Sequence, residues 1–288
     1  AEEVRPGAPP RRVTAAYSRA MRRIALAAAA IAIATITAAP ARADDRLGPP
    51  QYTRDALIVV LGGGAYAIGE LPAKEGLSPS TCRWCADNAF DRGVRDALVW
   101  DDRDAANTVS NVSAFGALPA LGVAALGLTG GSQDLLHNTL ILAEAGVIAA
   151  DLNYLVKIAV ARERPFVHQL AEADKPHTDR PVENNLSFYS GHSTLAMSLA
   201  VAAGTTATLR GYRRAPLVWA TLVPLAVATG YFRIGADKHW ASDVTVGWIT
   251  GAAIGFAVPY FLHRGAPPVT PTVSRTSTTT TLGVAASW

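Results

Sequence analysis

Three short clusters set histidine and cationic side chains beside long apolar stretches. The first is Lys157, followed after six residues by Arg164-Pro165. The second is Ser190-Gly191-His192-Ser193. The third is Arg233, with His239 after five residues and Asp243 after three more. Taken singly, each has a plain explanation: a cation at a helix end snorkels, a lone histidine is structural, and a His–Asp pair four apart decorates a helix. Together they describe an anion site. Lys157, Arg164 and Arg233 have no matching acidic cluster. Guanidinium planes suit phosphate oxygens, and lysine adds a point charge. Gly191 lets the backbone approach closely, and Ser190 with the first amides of the next helix can donate to an oxyanion. If 239–243 is helical, Asp243 lies one turn from His239. It is then expected to accept a hydrogen bond from one imidazole nitrogen, leaving the other free and nucleophilic. His192 has no such partner nearby in sequence and is left to act as an acid. No carboxylate cluster offers a magnesium site, so no metal is expected. The chemistry these residues support is metal-free phosphoryl transfer through a phosphohistidine.

The elements that must position these groups are apolar and helical. Val112–Leu128, Thr194–Leu209, Pro216–Phe232 and Val244–Leu262 carry no charge, and Thr139–Ala161 carries only Glu144, Asp151 and Lys157. Their Ala, Leu and Gly content, with little alternation, predicts helices. Seventeen to nineteen helical residues span about 25–29 Å, close to the ~30 Å hydrocarbon core. The expected fold is therefore an all-α helical bundle over 112–264, membrane-spanning, with five or six apolar helices. Leu57–Ile68 is short and glycine-rich and is not expected to span. Between 82 and 104, Phe90, Val94, Ala97 and Leu98 recur at helical spacing, which predicts an amphipathic helix on the membrane or over the bundle. Residues 265–288 are Pro/Thr/Ser-rich and read as a disordered tail. Glu144 and Asp151, seven apart on one helix face, are expected to pair inside the bundle or line a polar path.

The chain has 288 residues, 50% hydrophobic and 17% charged, with a net charge of +3. That charge belongs to a leader. Residues 1–43 hold seven arginines and two glutamates, and without them 19 basic and 21 acidic residues remain. The body is thus acidic on balance and gives no case for nucleic-acid binding. Met21-Arg22-Arg23, the uncharged run Ile24–Ala39 and Ala41-Arg42-Ala43 have the order of a secretory signal peptide over 21–43, cut before Asp44. Its alternative is an uncleaved anchor. Segment 44–111 then follows, carrying Cys82 and Cys85. In an oxidising compartment such a pair can close a short disulfide. Haem attachment lacks its histidine, a zinc site lacks a second ligand pair, and a thioredoxin-like site lacks its strand–helix context.

The three clusters resemble the signature of the type 2 phosphatidic-acid phosphatase and vanadium haloperoxidase superfamily: Lys-x6-Arg-Pro, Pro-Ser-Gly-His and Ser-Arg-x5-His-x3-Asp. All charged and histidine positions are present at the family spacing. Tyr189 stands where proline is usual, and Phe232 where serine is usual. The resemblance implies that His239 is the nucleophile, Asp243 orients it, and His192 protonates the leaving oxygen. Lys157, Arg164, Arg233, Ser190 and the Gly191 amide would hold the phosphoryl oxygens. Arg162 is not a ligand in the family and reads as a flanking surface charge. The function implied is hydrolysis of a lipid phosphate or diphosphate, with no cofactor. The alternatives are a soluble periplasmic acid phosphatase, a haloperoxidase that would hold vanadate, and a non-catalytic membrane scaffold.

Arg210, Arg213 and Arg214 cluster between two apolar stretches, and Arg264 follows the last. The positive-inside bias puts both places in the cytoplasm. The chemistry-bearing segments 157–192 and 233–243 then face the periplasm of a bacterial-type inner membrane. In intact cells a cysteine introduced by Gly211→Cys is expected to resist a membrane-impermeant thiol reagent, while one placed within 174–178 reacts. Labelling at both points would indicate a soluble periplasmic protein. Labelling at Gly211→Cys alone would invert the topology.

Overall fold

The computed structural model describes residues 45–265, with the backbone of 269–275 and 280–286. The expected signal peptide and its cleavage point before Asp44 lie outside the described residues. Helix α1 covers Tyr52–Glu70, α2 Lys74–Leu77, α3 Ala89–Leu98 and α4 Arg103–Val112. A π-helical turn, Ser113–Ala117, joins α4 to α5, Leu118–Gly130. Then come α6 (Leu135–Val160), α7 (Pro165–His168), α8 (Gly191–Leu209), α9 (Ala215–Gly235) and α10 (Ala241–Ala257), which runs on through a second π turn, Val258–Leu262.

Four stretches, Arg103–Gly130, Leu135–Val160, Ala215–Gly235 and Ala241–Leu262, are long and apolar enough to cross a membrane. Their outer faces expose Val112, Leu121, Leu155, Ile249 and Phe261. In water such faces would form a liability, whereas in a bilayer they meet lipid tails. This is the composition of a membrane-embedded helical bundle.

Helix α8 is the axle. It packs against α5, α6, α9 and α10, and nearly all its residues are buried. Its Ala, Gly, Ser and Thr content explains this, because small side chains let backbones approach where lipid removes the hydrophobic drive for helix association. Its hydroxyls are spent on carbonyls: Ser198 Oγ donates to Ala145 O at 3.0 Å and Thr194 Oγ1 to Ser190 O at 2.7 Å. The closest approach is to α10, whose glycines recur every four residues. A methyl at Gly251 would overlap the Thr194 carbonyl oxygen, and one at Gly247 would lie 2.8 Å from Ser190 O.

Three expectations change. Leu57–Ile68 is the middle of a 19-residue helix, about 28 Å long at 1.5 Å per residue, and lies along α6. Asp55 near its start lies beside His137, and Gly69 near its end accepts a hydrogen bond from Tyr154 Oη at 2.5 Å. The apolar run is short, but Arg54, Asp55 and Glu70 extend the helix, Arg54 pairing with its neighbour Asp55 and Glu70 with Lys74 four residues on. Residue 45 therefore sits at the Arg210 end, where Arg210 Nη1 meets Asp45 Oδ2 at 3.0 Å. A leader cleaved before Asp44 and a cytoplasmic Arg210 loop thus exclude each other. Second, part of the expected disordered tail forms an antiparallel hairpin, β1 (Val269–Arg275) on β2 (Thr280–Ala286), consistent with its β-branched residues. Third, Glu144 and Asp151 do not share a partner. Glu144 binds His263 at 3.0 Å, while Asp151 lies beside Gly62 of α1.

Gly251→Val is expected to wedge α10 from α8 and lower the stability of the detergent-solubilised protein by about 1–3 kcal/mol. Thermal unfolding reads this, and an unchanged midpoint would show that the contact yields freely.

Candidate active site

Helix ends converge on one cavity of about 550 Å³. The end of α6 supplies Asn153 and Lys157, and the loop after it Arg164. The start of α8 supplies Gly191 and His192. The end of α9 brings Arg233, and the turn before α10 brings Lys238 and His239. Asn107 and Asn111 of α4, Phe115 of the π turn and the charged Glu70, Lys74, Arg180 and Glu183 also line it.

His239 is buried, and its Nδ1 lies 2.8 Å from the Ser187 carbonyl oxygen. A carbonyl only accepts, so Nδ1 carries the proton and Nε2 keeps its lone pair. Burial, followed by the nearby Arg164 and Arg233, holds the imidazole well below its usual pKa and therefore neutral. The expected hydrogen bond from His239 to Asp243 is not made. The Asp243 carboxylate is 3.8 Å from Nδ1, too far for one. Its Oδ2 accepts instead from Ser187 Oγ at 2.5 Å and from the Trp240 amide at 3.0 Å. Asp243 thus holds the residue that holds His239. Nothing in the spacing of the three clusters marks Ser187.

Arg162, read from the sequence as a surface charge, is fully buried. Its Nη1 donates to Asp243 Oδ1 at 2.5 Å and its Nη2 to Asp91 Oδ2 at 2.7 Å. The guanidinium lies 4.0 Å from the ring centre of Trp84, between Cys82 and Cys85, which are joined by a disulfide. Helix α3 is the amphipathic helix of the sequence, and it caps the bundle. Val94 and Leu98 pack against the cluster of Ile234, Ala241 and Val244, while Asp91 reaches inward to the Ser242 amide at 2.8 Å.

The cations are arranged asymmetrically. Arg164 is fixed by the Glu183 carbonyl at 2.8 Å and faces its carboxylate at 3.4 Å. Burial alone would raise the Glu183 carboxyl, but Arg164 and Lys74 beside it hold it at about 2. Arg233 donates to Asn107 Oδ1 at 2.7 Å and Ser110 Oγ at 3.0 Å, both neutral. Among the described residues no carboxylate pairs with Lys157 or Arg233, which leaves positive charge facing the cavity. A Cβ on Gly191 would stand 2.7 Å from Asn153 Oδ1 and 3.3 Å from Lys157 Nζ, so a larger residue would have to push the Asn153 side chain aside. His192 has a partner that its sequence neighbours did not supply. Its Nε2 lies 2.7 Å from Asn111 Oδ1, and with that acceptor Nε2 carries the proton.

Ser190 differs from expectation. It is fully buried and does not line the cavity; its hydroxyl caps α8, accepting from the Ser193 amide at 3.4 Å and the Ser193 hydroxyl at 2.8 Å. Phe232 also lies off the cavity, edge-on to Trp100. Tyr189 contributes its carbonyl, which accepts from Asn153 Nδ2 at 2.7 Å.

Residues 138–266 match the family described as the PAP2 superfamily. Undecaprenyl-diphosphatase BcrC of Bacillus subtilis (strain 168) is 30% identical over 137 residues, covering 48% of this chain and 64% of the relative. Phospholipid phosphatase 1 of Mus musculus is 39% identical over 85 residues, 28% of this chain and 30% of the relative. The chain thus spans less than two thirds of these relatives. A solved transmembrane PAP2-type phosphatidylglycerolphosphate phosphatase from Bacillus subtilis aligns over 72% of this chain and 94% of its own, at 18% identity and a TM-score of 0.44. All three clusters fall inside the matched segment 138–266. Asp91, Asn107, Asn111 and Trp84 precede it, so the chain before it supplies part of the site.

Arg162→Met would leave Asp91 and Asp243 as buried, unpaired carboxylates. It is expected to cost about 3–5 kcal/mol of stability. Adding Asp91→Asn should recover part of that loss in thermal unfolding, and no recovery would mean that the two side chains act independently.

Proposed function

We propose that the protein hydrolyses a lipid phosphate or lipid diphosphate through a phosphohistidine on His239, without a catalytic metal, at the periplasmic face of the membrane. The observation that carries this reading is the pairing of a neutral His239, its Nδ1 committed to Ser187, with Lys157, Arg164 and Arg233 around one cavity. The cations bind the phosphoryl oxygens and offset charge that grows in the transition state. His239 Nε2 attacks phosphorus, and the bond to the leaving oxygen breaks. His192 gives that oxygen its proton. Water then attacks the phosphohistidine, the P–N bond breaks, and inorganic phosphate leaves. His192 takes back a proton from the water.

The lipid substrate is supported by the exposed apolar outer faces of the helices and by the names of the relatives, which are phosphatases of undecaprenyl diphosphate and phospholipids. With the cavity periplasmic, the Arg210 end and residue 45 are cytoplasmic.

The test is a phosphate-release panel on lipid and soluble phosphomonoesters with EDTA present. Hydrolysis of lipid substrates is expected, with inhibition by vanadate. His239→Ala should abolish both turnover and trapped phosphoenzyme. His192→Ala should slow turnover about 10²–10⁴-fold and still label with a good leaving group. A strict magnesium requirement for turnover, or labelling of His239→Ala, would sink the mechanism. Halide oxidation with vanadate and peroxide would instead favour the haloperoxidase.

The pH dependence follows from His239. The nucleophile works unprotonated, and its folded pKa is depressed. Activity tied to it is present above that value and lost only as pH falls through it. Once substrate ionisation is subtracted, the acid limb of kcat/KM is expected below the ordinary histidine value of about 6.5. A limb above that value would contradict the assignment.

A further inference from the structure

At the end of the bundle opposite the cavity, Asp55 of α1, His137 of α6 and His263 after α10 meet. One ligand atom from each lies within 4.8 Å of the others, and all three residues are buried. His137 and Lys157 sit on one straight helix, twenty residues or about 30 Å apart, so this cluster is remote from the phosphoryl site. We propose that it is a zinc site with one open position, pinning α1 to the 138–266 segment.

The geometry carries the proposal. His137 Nε2 and His263 Nδ1 face each other at 3.3 Å. Two nitrogens bound to a tetrahedral zinc at ~2.0–2.1 Å stand about 3.3 Å apart. His263 Nε2 lies 3.0 Å from Glu144 Oε2, the carboxylate–histidine pairing that orients a ligand whose other nitrogen takes the metal. Asp55 is fully buried, and its Oδ2 has no hydrogen-bond partner; Glu144 Oε1 is likewise unpartnered. Two imidazoles and one carboxylate, with water in the fourth place, suit zinc better than calcium or magnesium, which take oxygen shells. Two arginines border the site. Arg54 Nη2 holds Asp55 Oδ1 at 2.8 Å and stands 3.5 Å from His263 Nδ1; this side chain is partly exposed, and it swings outward when the metal takes that nitrogen. Arg210 Nη2 lies 2.7 Å from His137 Nδ1, and zinc on Nε2 would put a proton there. The guanidinium then retreats to Asn138 and Asp45, which it already contacts at 3.1 and 3.0 Å. Asp55 and His137 lie before the matched 138–266 segment and His263 within it, so the ion would tie one to the other.

The test uses the full chain in detergent, purified without chelator after growth in zinc. Metal analysis is expected to find about one zinc per chain, and cobalt replacement the intense visible bands of a tetrahedral site. Adding zinc to metal-depleted protein should raise the unfolding midpoint by roughly 5–10 °C at about a hundredfold excess over Kd. His263→Gln should lose the metal and the shift while still hydrolysing lipid phosphate. Zinc no higher in the natural chain than in His263→Gln, or cobalt bands of an octahedral ion, would overturn the proposal. The cluster would then be a closed hydrogen-bond chain from Arg210 through both histidines to Glu144. If His263→Gln does not fold, the cobalt spectrum of the natural chain decides.

Discussion

One buried ionic junction organises the catalytic end. Arg162 joins Asp91 of the capping helix to Asp243 at the start of α10, and all three side chains are excluded from solvent. Such a charge is costly to bury unless its oxygens and nitrogens are met. Here Asp91 also binds Ser242, Asp243 also binds Ser187 and the Trp240 amide, and Trp84 covers the guanidinium, whose Nε alone has no hydrogen-bond partner. The junction fixes three chain segments at once, and His239 hangs from it through the Ser187 carbonyl. The imidazole is thus aimed by a neutral acceptor, while the carboxylate behind it is occupied with structure.

Around that junction the bundle solves a packing problem without much hydrophobic drive. Helix α8 is built of small residues, and α10 approaches it through glycines, so the backbones themselves form the contact. The start of α8 is carried to the cavity by this packing, and Ser190 caps it there. The serine of the family signature therefore acts on the helix terminus that presents Gly191 and His192.

The two ends of the bundle carry different polar chemistry. The cavity is lined by more cations than acids, a charge arrangement suited to an anion. The opposite end concentrates imidazoles with buried carboxylates, an arrangement suited to a cation. Helix α1 touches both, through Asp55 at one end and through Glu70 and Lys74, which reaches Glu183, at the other.

By itself the sequence determined the helical class, the apolar spans and the three clusters, because helix periodicity and the type and spacing of reactive residues are local properties. It also marked the positive character of the site, since Lys157, Arg164 and Arg233 have no matching acidic cluster. Only the tertiary structure decided who meets whom across long separations. Arg162 looked like a surface charge because its partners, Asp91 and Asp243, lie about 70 and 80 residues away. Ser187, Asn107 and Asn111 carry no reactive group, and they matter only because folding sets them against His239, Arg233 and His192. The length of α1 was hidden for the same reason: its polar ends look unlike a continuation of the apolar run until the bundle supplies Tyr154 at one end and the histidine cluster at the other.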